Sequence, residues 1–359
     1  MKKIDKKLLI AIVILTLFGL LMIYSSSNVW AMYKFNDSFK YFKSQLLFLI
    51  MGYFMMLVVS RIPAIIYKKY SNKILFGCLI LLILVLIPGI GTIRNGSRSW
   101  FGIGPFGIQP SEAAKLGLII FTAKYLANNK IKDIKTSVLP ILLVVMLVFG
   151  LIMLQPDFGT GVIIVMSIVS LLFVSGVNMS FFIKMGIIGL LGIVVLVIIA
   201  PYRMARITSF LNPWSDPLGS GFQIIQSLYA IGPGGLLGMG LGNSIQKHFY
   251  LPEPQTDFIF AIISEELGFA GVLIVTSLFL IIINRGFKIA IACNDKFMKY
   301  LAYGITFSIA FQTILNLMVV VGLIPVTGVT LPFLSYGGSS LLVSLAEIGI
   351  LLNISKYNS

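Results

Sequence analysis

Long apolar runs alternate with short polar connectors along almost the whole chain. Ten runs reach, or nearly reach, the length that crosses about 30 Å of hydrocarbon as a helix. They lie near 8–27, 45–61, 74–91, 110–127, 137–154, 159–176, 180–200, 257–284, 299–322 and 335–354. The pattern predicts an all-α polytopic membrane protein of about ten transmembrane helices, forming one integral membrane domain over 1–359. The fourth run is the most polar, because it contains Glu112, Lys115 and Lys124. The first follows a basic start, as a signal peptide would, but its apolar core runs roughly twenty residues and no A-x-A site follows. It reads as a retained span. The longest connector, about 201–256, lies between the seventh and eighth runs and lacks the composition of disorder, which marks it as a functional outer loop.

Composition agrees with the pattern. Hydrophobic residues make up 58% of the 359 residues and charged residues only 11%, where a soluble domain carries about a quarter. The net charge of +15 would suggest nucleic acid in a soluble protein. Here its distribution matters more. With the N-terminus in the cytoplasm, roughly two thirds of the Lys and Arg residues fall on the inner side, so the positive-inside rule places both termini in the cytoplasm. The acids sort the other way. Asp37, Glu112, Asp157, Asp216, Glu253, Asp257, Glu265 and Glu266 fall outside or in the outer halves of spans, and Glu347 lies deeper in the last. Chemistry is therefore expected at the outer face, with a membrane partner and no nucleic acid. Cys78 and Cys293 are far apart and His248 is the one histidine, so neither a disulfide nor a metal site is read from these residues.

Charge at a bilayer is costly, and residues that bear it there are functional or paired. In GSRSWFGIGPFGIQPSEAAK, Pro110 suits a first helical turn, Glu112 follows near the positive end of the helix dipole, and Lys115 lies one turn deeper on the same face. A self-neutralising Glu–Lys pair and a functional pair are both open. In LQPDFGTG, Asp157 is placed to cap the sixth span. In LPEPQTDFIFAIISEELG, Thr256 reads as an N-cap and Asp257 as first-turn. Glu265 then returns to the same face about 12 Å deeper, with Ser264 and Gly268 beside it and Glu266 opposite. Such a stripe should line a cavity or a helix contact. GPGGLLGMGLG follows no strand and is no nucleotide-binding fingerprint. GLIPVTGVTLPFLSYGGSS, 322–340, can dip back into the membrane where it lines a hydrated cavity. These residues describe an outward-opening cavity for transport, or for group transfer on a lipid-linked anionic substrate.

Taken together, NGSRSWFGIGPFGIQPSEAAK, QPDFGTG, YLPEPQTDFIFAIISEELG and GVTLPFLSYGGSS resemble the SEDS family of shape, elongation, division and sporulation proteins over nearly the whole chain. Within it they look closer to the FtsW and SpoVE branch than to RodA. The resemblance implies a peptidoglycan glycosyltransferase that polymerises lipid II at the outer face of the plasma membrane, for division or spore cell-wall synthesis. It implies a class B penicillin-binding protein partner that crosslinks the product, and a divalent cation, Mg or Mn, with no organic cofactor. It carries the family's catalytic aspartate onto Asp257 and the important acid and base of its QPSExxK motif onto Glu112 and Lys115. The family's RW arginine is displaced here, since Ser99 separates Arg98 from Trp100. Arg98, Arg203, Arg206, Lys247, Glu253, Gln109 and Ser335 are the expected substrate-binding residues. A lipid II flippase is the alternative, and a scaffold without activity of its own a third.

Overall fold

The computed structural model describes residues 4–94, 96–103, 106–129, 137–199 and 201–357. Each apolar run is a helix: α1 (Lys6–Phe35), α2 (Lys40–Val59), α3 (Ala64–Leu84), α4 (Pro110–Asn128), α5 (Leu139–Met153), α6 (Phe158–Val174) and α7 (Met179–Ile199). After the outer connector come α10 (Ile259–Ile291), α11 (Lys296–Val320) and α12 (Gly338–Ser355). Six of these, α1, α2, α7, α10, α11 and α12, are long and apolar enough to cross a membrane, while α5 and α6 are apolar but shorter. In α3, Lys68, Lys69 and Lys73 dilute the apolar run, as Glu112, Lys115 and Lys124 do in α4.

Four features depart from the sequence expectation. The third helix starts earlier than 74, because Pro63 sits extended as its N-cap and releases the chain into a helix at Ala64. The connector after it is a small antiparallel sheet, β1 (Thr92–Arg94), β2 (Ser97–Ile103) and β3 (Phe106–Ile108), in that order. The fold is therefore not purely helical. Arg94 faces Ser97 across the first turn and Phe101 faces Ile108 across the second pair. The 201–256 connector is largely ordered into α8 (Pro201–Leu211), α9 (Phe222–Ile231) and two short 3-10 turns at Pro213–Ser215 and Gly232–Gly234. The side chains of Arg203 and Arg206, on α8, lie outside the described residues.

The fourth departure is in α10. It begins at Ile259 with Phe258 as N-cap and no side-chain cap, so Thr256 and Asp257 precede the helix. Inside it, Gly268 adopts φ 60°, ψ −156°, a conformation for glycine alone. The helix is broken there. The carbonyls of Glu265 and Glu266 accept from the amides of Met239 and Gly240, both at 2.9 Å, while Phe269 and Ala270 donate to the carbonyls of Gly235 and Leu236 at 2.9 and 3.0 Å. Residues 235–240 thus supply partners for the backbone groups freed at the break, as buried amides require.

The two ends of the bundle differ. At one, the Asp5 amide donates to Ser355 Oγ at 3.1 Å, and Arg285 Nε donates to Asp5 Oδ2 at 2.9 Å. Both chain ends therefore lie on the same side. At the other, the starts of α4, α6 and α12, the stretch before α10 and the end of α11 surround a cavity.

Candidate active site

The cavity holds about 900 Å³. Its wall includes Gln109 at the start of α4 with Glu112 and Lys115 in it, Asp157 and Thr160 before and in α6, residues 252, 253 and 255–258, Gln312 of α11, the 326–330 loop, and Arg94, Ser97, Ser99 and Trp100 of the sheet. Pro110 opens α4 at its first turn, as its missing N–H permits. That start aims Glu112 and Lys115 inward. Lys115 Nζ donates to Glu112 Oε2 and to Gln312 Oε1, each at 2.8 Å, and both members of the ion pair are buried. Pairing and a place in the cavity wall therefore coexist. Glu347 of α12 interacts electrostatically with both, and its two carboxylate oxygens have no hydrogen-bond partner among the described residues.

Asp157 also has two roles. Its Oδ1 accepts from the Thr160 amide at 3.2 Å and caps α6. Its Oδ2 accepts from Gln109 Nε2 at 2.9 Å, with Ser111 Oγ at 3.5 Å. Burial pushes its carboxyl above the usual range, against the pull of the Thr160 hydrogen bonds. Tyr336 is also on the wall.

Asp257 is half-buried in the wall. Its backbone is pinned at three consecutive carbonyls. Gln255 O accepts from the Tyr336 amide at 2.8 Å, Thr256 O from Ser335 Oγ at 2.6 Å, and Asp257 O from Asn316 Nδ2 at 2.7 Å. A side chain on Gly328, where φ is +75°, would start 3.8 Å from Asp257 Oδ2. The aspartate is therefore presented by a backbone fixed at three carbonyls, beside a glycine whose positive φ suits it to the turn. Glu253 is exposed on the same wall.

Three expected substrate contacts have other work. Ser335 is off the cavity wall: its hydroxyl bridges Thr256 O and the Leu331 amide, so it positions Asp257. Lys247 is buried, with Nζ 3.2 Å from Glu266 Oε1 and also on the Gly242 carbonyl. Glu265 accepts from the Ile245 amide at 2.8 Å and from Ser244 Oγ at 2.5 Å, and Glu266 accepts from Ser25 Oγ at 2.6 Å. Glu265 and Glu266 fasten the outer connector to α10 and α1. They form no stripe with Asp257, which lies outside the helix. Arg98 leaves the wall and reaches the Leu86 carbonyl at 3.5 Å. Arg94, which sequence reasoning missed, lines the cavity instead, with its guanidinium 5.1 Å from the Trp100 ring centre. The sequence did carry a signal: Asn95–Gly96 between two strand-like runs marks a hairpin.

Among the described residues no three Asp, Glu, His or Cys side chains gather as a metal cage. A magnesium-type ion needs only one or two carboxylates when phosphates supply further ligands. Glu253, exposed on the wall, is one carboxylate of that kind.

Comparison with known proteins places this geometry in context. The family model for FtsW, RodA and SpoVE, described as "Cell cycle protein", matches residues 6–359. Stage V sporulation protein E of Bacillus subtilis is 53% identical, with 99% of each chain covered. A probable peptidoglycan glycosyltransferase FtsW of Coxiella burnetii is 43% identical over 98% of this chain and 96% of its own. A chain from a solved peptidoglycan synthase complex, described as coordinating polymerization and crosslinking, matches with a TM-score of 0.81 at 30% identity, covering 99% of this chain and 98% of its own. The rod shape determining protein RodA of Thermus thermophilus matches at 0.74 and 27%, covering 98% and 97%.

Proposed function

We propose, for a chain that belongs to the FtsW, RodA and SpoVE family, that Asp257 is the general base of its glycosyl transfer. The protein is a multi-pass membrane peptidoglycan glycosyltransferase of the division and sporulation type. Its substrate in this reading is lipid II, and both termini face the cytoplasm, so the cavity at the opposite end opens outside. Asp257 takes the proton from the 4-hydroxyl of the acceptor GlcNAc as that oxygen attacks C1 of the donor MurNAc. The bond from C1 to the phosphate oxygen breaks, undecaprenyl pyrophosphate leaves, and the anomeric centre inverts. A base must be held in place before it meets its proton. The pinning of three successive carbonyls around Asp257 is the observation that carries the assignment.

Glu112 and Lys115 form the floor with Gln312, and Gln109 holds Asp157 beside them. This fixed charge array orients the sugars and excludes bulk water. A divalent cation, Mg or Mn, would be held by Glu253 together with the substrate's pyrophosphate, and would supply charge to the leaving group. A class B penicillin-binding protein that crosslinks the product is the proposed partner. A lipid II flippase would need polar groups through the inner half of the bundle. Below Lys115 and Gln312 the packed residues include Leu118, Ile119, Leu171, Ile305 and Ile309, and the hydroxyls of Ser167 and Thr306 there bond back to their own helices, which supports the polymerase.

The test is reconstitution of the full-length protein with its transpeptidase, the crosslinking site blocked, and labelled lipid II. Wild type is expected to make glycan chains, to stop on chelation and to resume with Mg or Mn. Asp257→Asn is expected to fold and make none. Normal chains from Asp257→Asn would remove it as the base. Translocation without chains in wild type would favour the flippase.

A further inference from the structure

A diphosphate leaving group gathers negative charge as its C–O bond breaks, and a fixed cation must meet it. This inference rests on the transfer reading above. Four carboxylates, Glu112, Asp157, Glu253 and Asp257, share the cavity wall, so an unengaged cation matters more than usual. Among the described wall residues the cations are Lys115 and Arg94. Lys115 is already bound to Glu112 and Gln312. Arg94 is exposed and takes part in no ion pair among the described residues.

Arg94 is also held in one place. Its guanidinium lies over the Trp100 ring. On Gly107 a side chain would start 2.6 Å from Arg94 Nη1, 3.0 Å from Cζ and 2.9 Å from Trp100 Cε3. Any larger residue would take the space the pair occupies. The hairpin supplies the geometry, because β1 and β2 bring Arg94 beside the Trp100 strand and β3 lays Gly107 across it. A guanidinium held against a ring still has N–H groups to offer a phosphate, with which it pairs bidentately.

We propose that Arg94 binds the diphosphate of the lipid-linked glycosyl donor, with Trp100 and Gly107 as positioning residues. Arg98, one of the three arginines expected from sequence, is off the cavity wall and does not fill this role. Arg94 discriminates a diphosphate-linked donor from a neutral glycolipid and holds the departing diphosphate after the sugar has transferred.

The experiment uses the full chain with its transpeptidase, and compares wild type, Arg94→Gln, Arg94→Lys and Arg98→Gln. It measures kcat and KM for lipid II, and inhibition by inorganic pyrophosphate at constant free divalent cation. Arg94→Gln is expected to raise KM about 10- to 100-fold, the loss of a charge-assisted contact, and to weaken pyrophosphate inhibition by a similar factor. Arg94→Lys should recover part of both, since it restores charge without the fork. A structural defect would lower the active fraction and leave KM and the inhibition constant unmoved. Unchanged KM and inhibition in Arg94→Gln, or their change in Arg98→Gln instead, would overturn the assignment and leave the polymerase reading standing. Wild type that makes no chains would sink that reading itself.

Discussion

Lys115 illustrates what a single buried charge costs and what it depends on. Its ammonium is withdrawn from water and compensated by one carboxylate and one amide oxygen. Removing one partner of such a pair strands the other, at about 3–5 kcal/mol, whereas removing both together costs far less. Lys115→Met is therefore expected to lower the unfolding midpoint in detergent by many degrees. The double change Glu112→Gln with Lys115→Met should regain much of that stability and still lack activity. A double variant as unstable as the single would show that the pair is not what the stability rests on. Glu112, Lys115 and Asp257 were legible because charge stands out against an apolar background. Ser335 and Lys247 were visible as residues but not in their roles. Their partners, Thr256 O and Glu266, lie elsewhere in the chain, and only folding brings them together.

At the level of elements, apolar runs are read well and what interrupts them is read poorly. The helices followed from run length, and Asp157 caps α6 as its position before the run suggested. The sheet was missed, although Asn95–Gly96 signals its turn, because three short strands between two spans carry no run of their own. The break at Gly268 had no signal, since a glycine in SEELGFAG is equally compatible with a continuous helix. Its φ of 60° and ψ of −156° leave no room for choice: an added Cβ would start 2.7 Å from Gly234 O. Gly268→Ala is expected to lose more than about 2 kcal/mol, strain and clash together, and to release the 235–240 segment. Thermal denaturation in detergent, with proteolysis of the outer connector, checks both. A wild-type midpoint and cleavage pattern would mean that the break is dispensable.

For the whole molecule, sidedness is the property that joins structure to activity. The chain ends share one end of the bundle and the cavity lies at the other, and the charge bias is the argument for the proposed orientation, with the chain ends inside. Both native cysteines are buried, so a membrane-impermeant thiol reagent on intact cells can report an introduced one. Lys34→Cys is expected to react and Tyr357→Cys to be spared, and the reverse would invert the proposed orientation.

The broken helix also bears on how the chain enters its membrane. Its 33 residues, taken as one straight helix at 1.5 Å each, would run about 50 Å, well beyond the hydrocarbon a span must cross. The part after the break, 269–291, is by itself long enough. During biosynthesis only that part has to be accepted by lipid. The residues before it, Glu265 and Glu266 among them, need never partition as a free-standing span, because the segment that receives them, 235–247, has already been made when they leave the ribosome. Two acids that look misplaced in an apolar run are, in order of synthesis, preceded by the segment whose groups satisfy them.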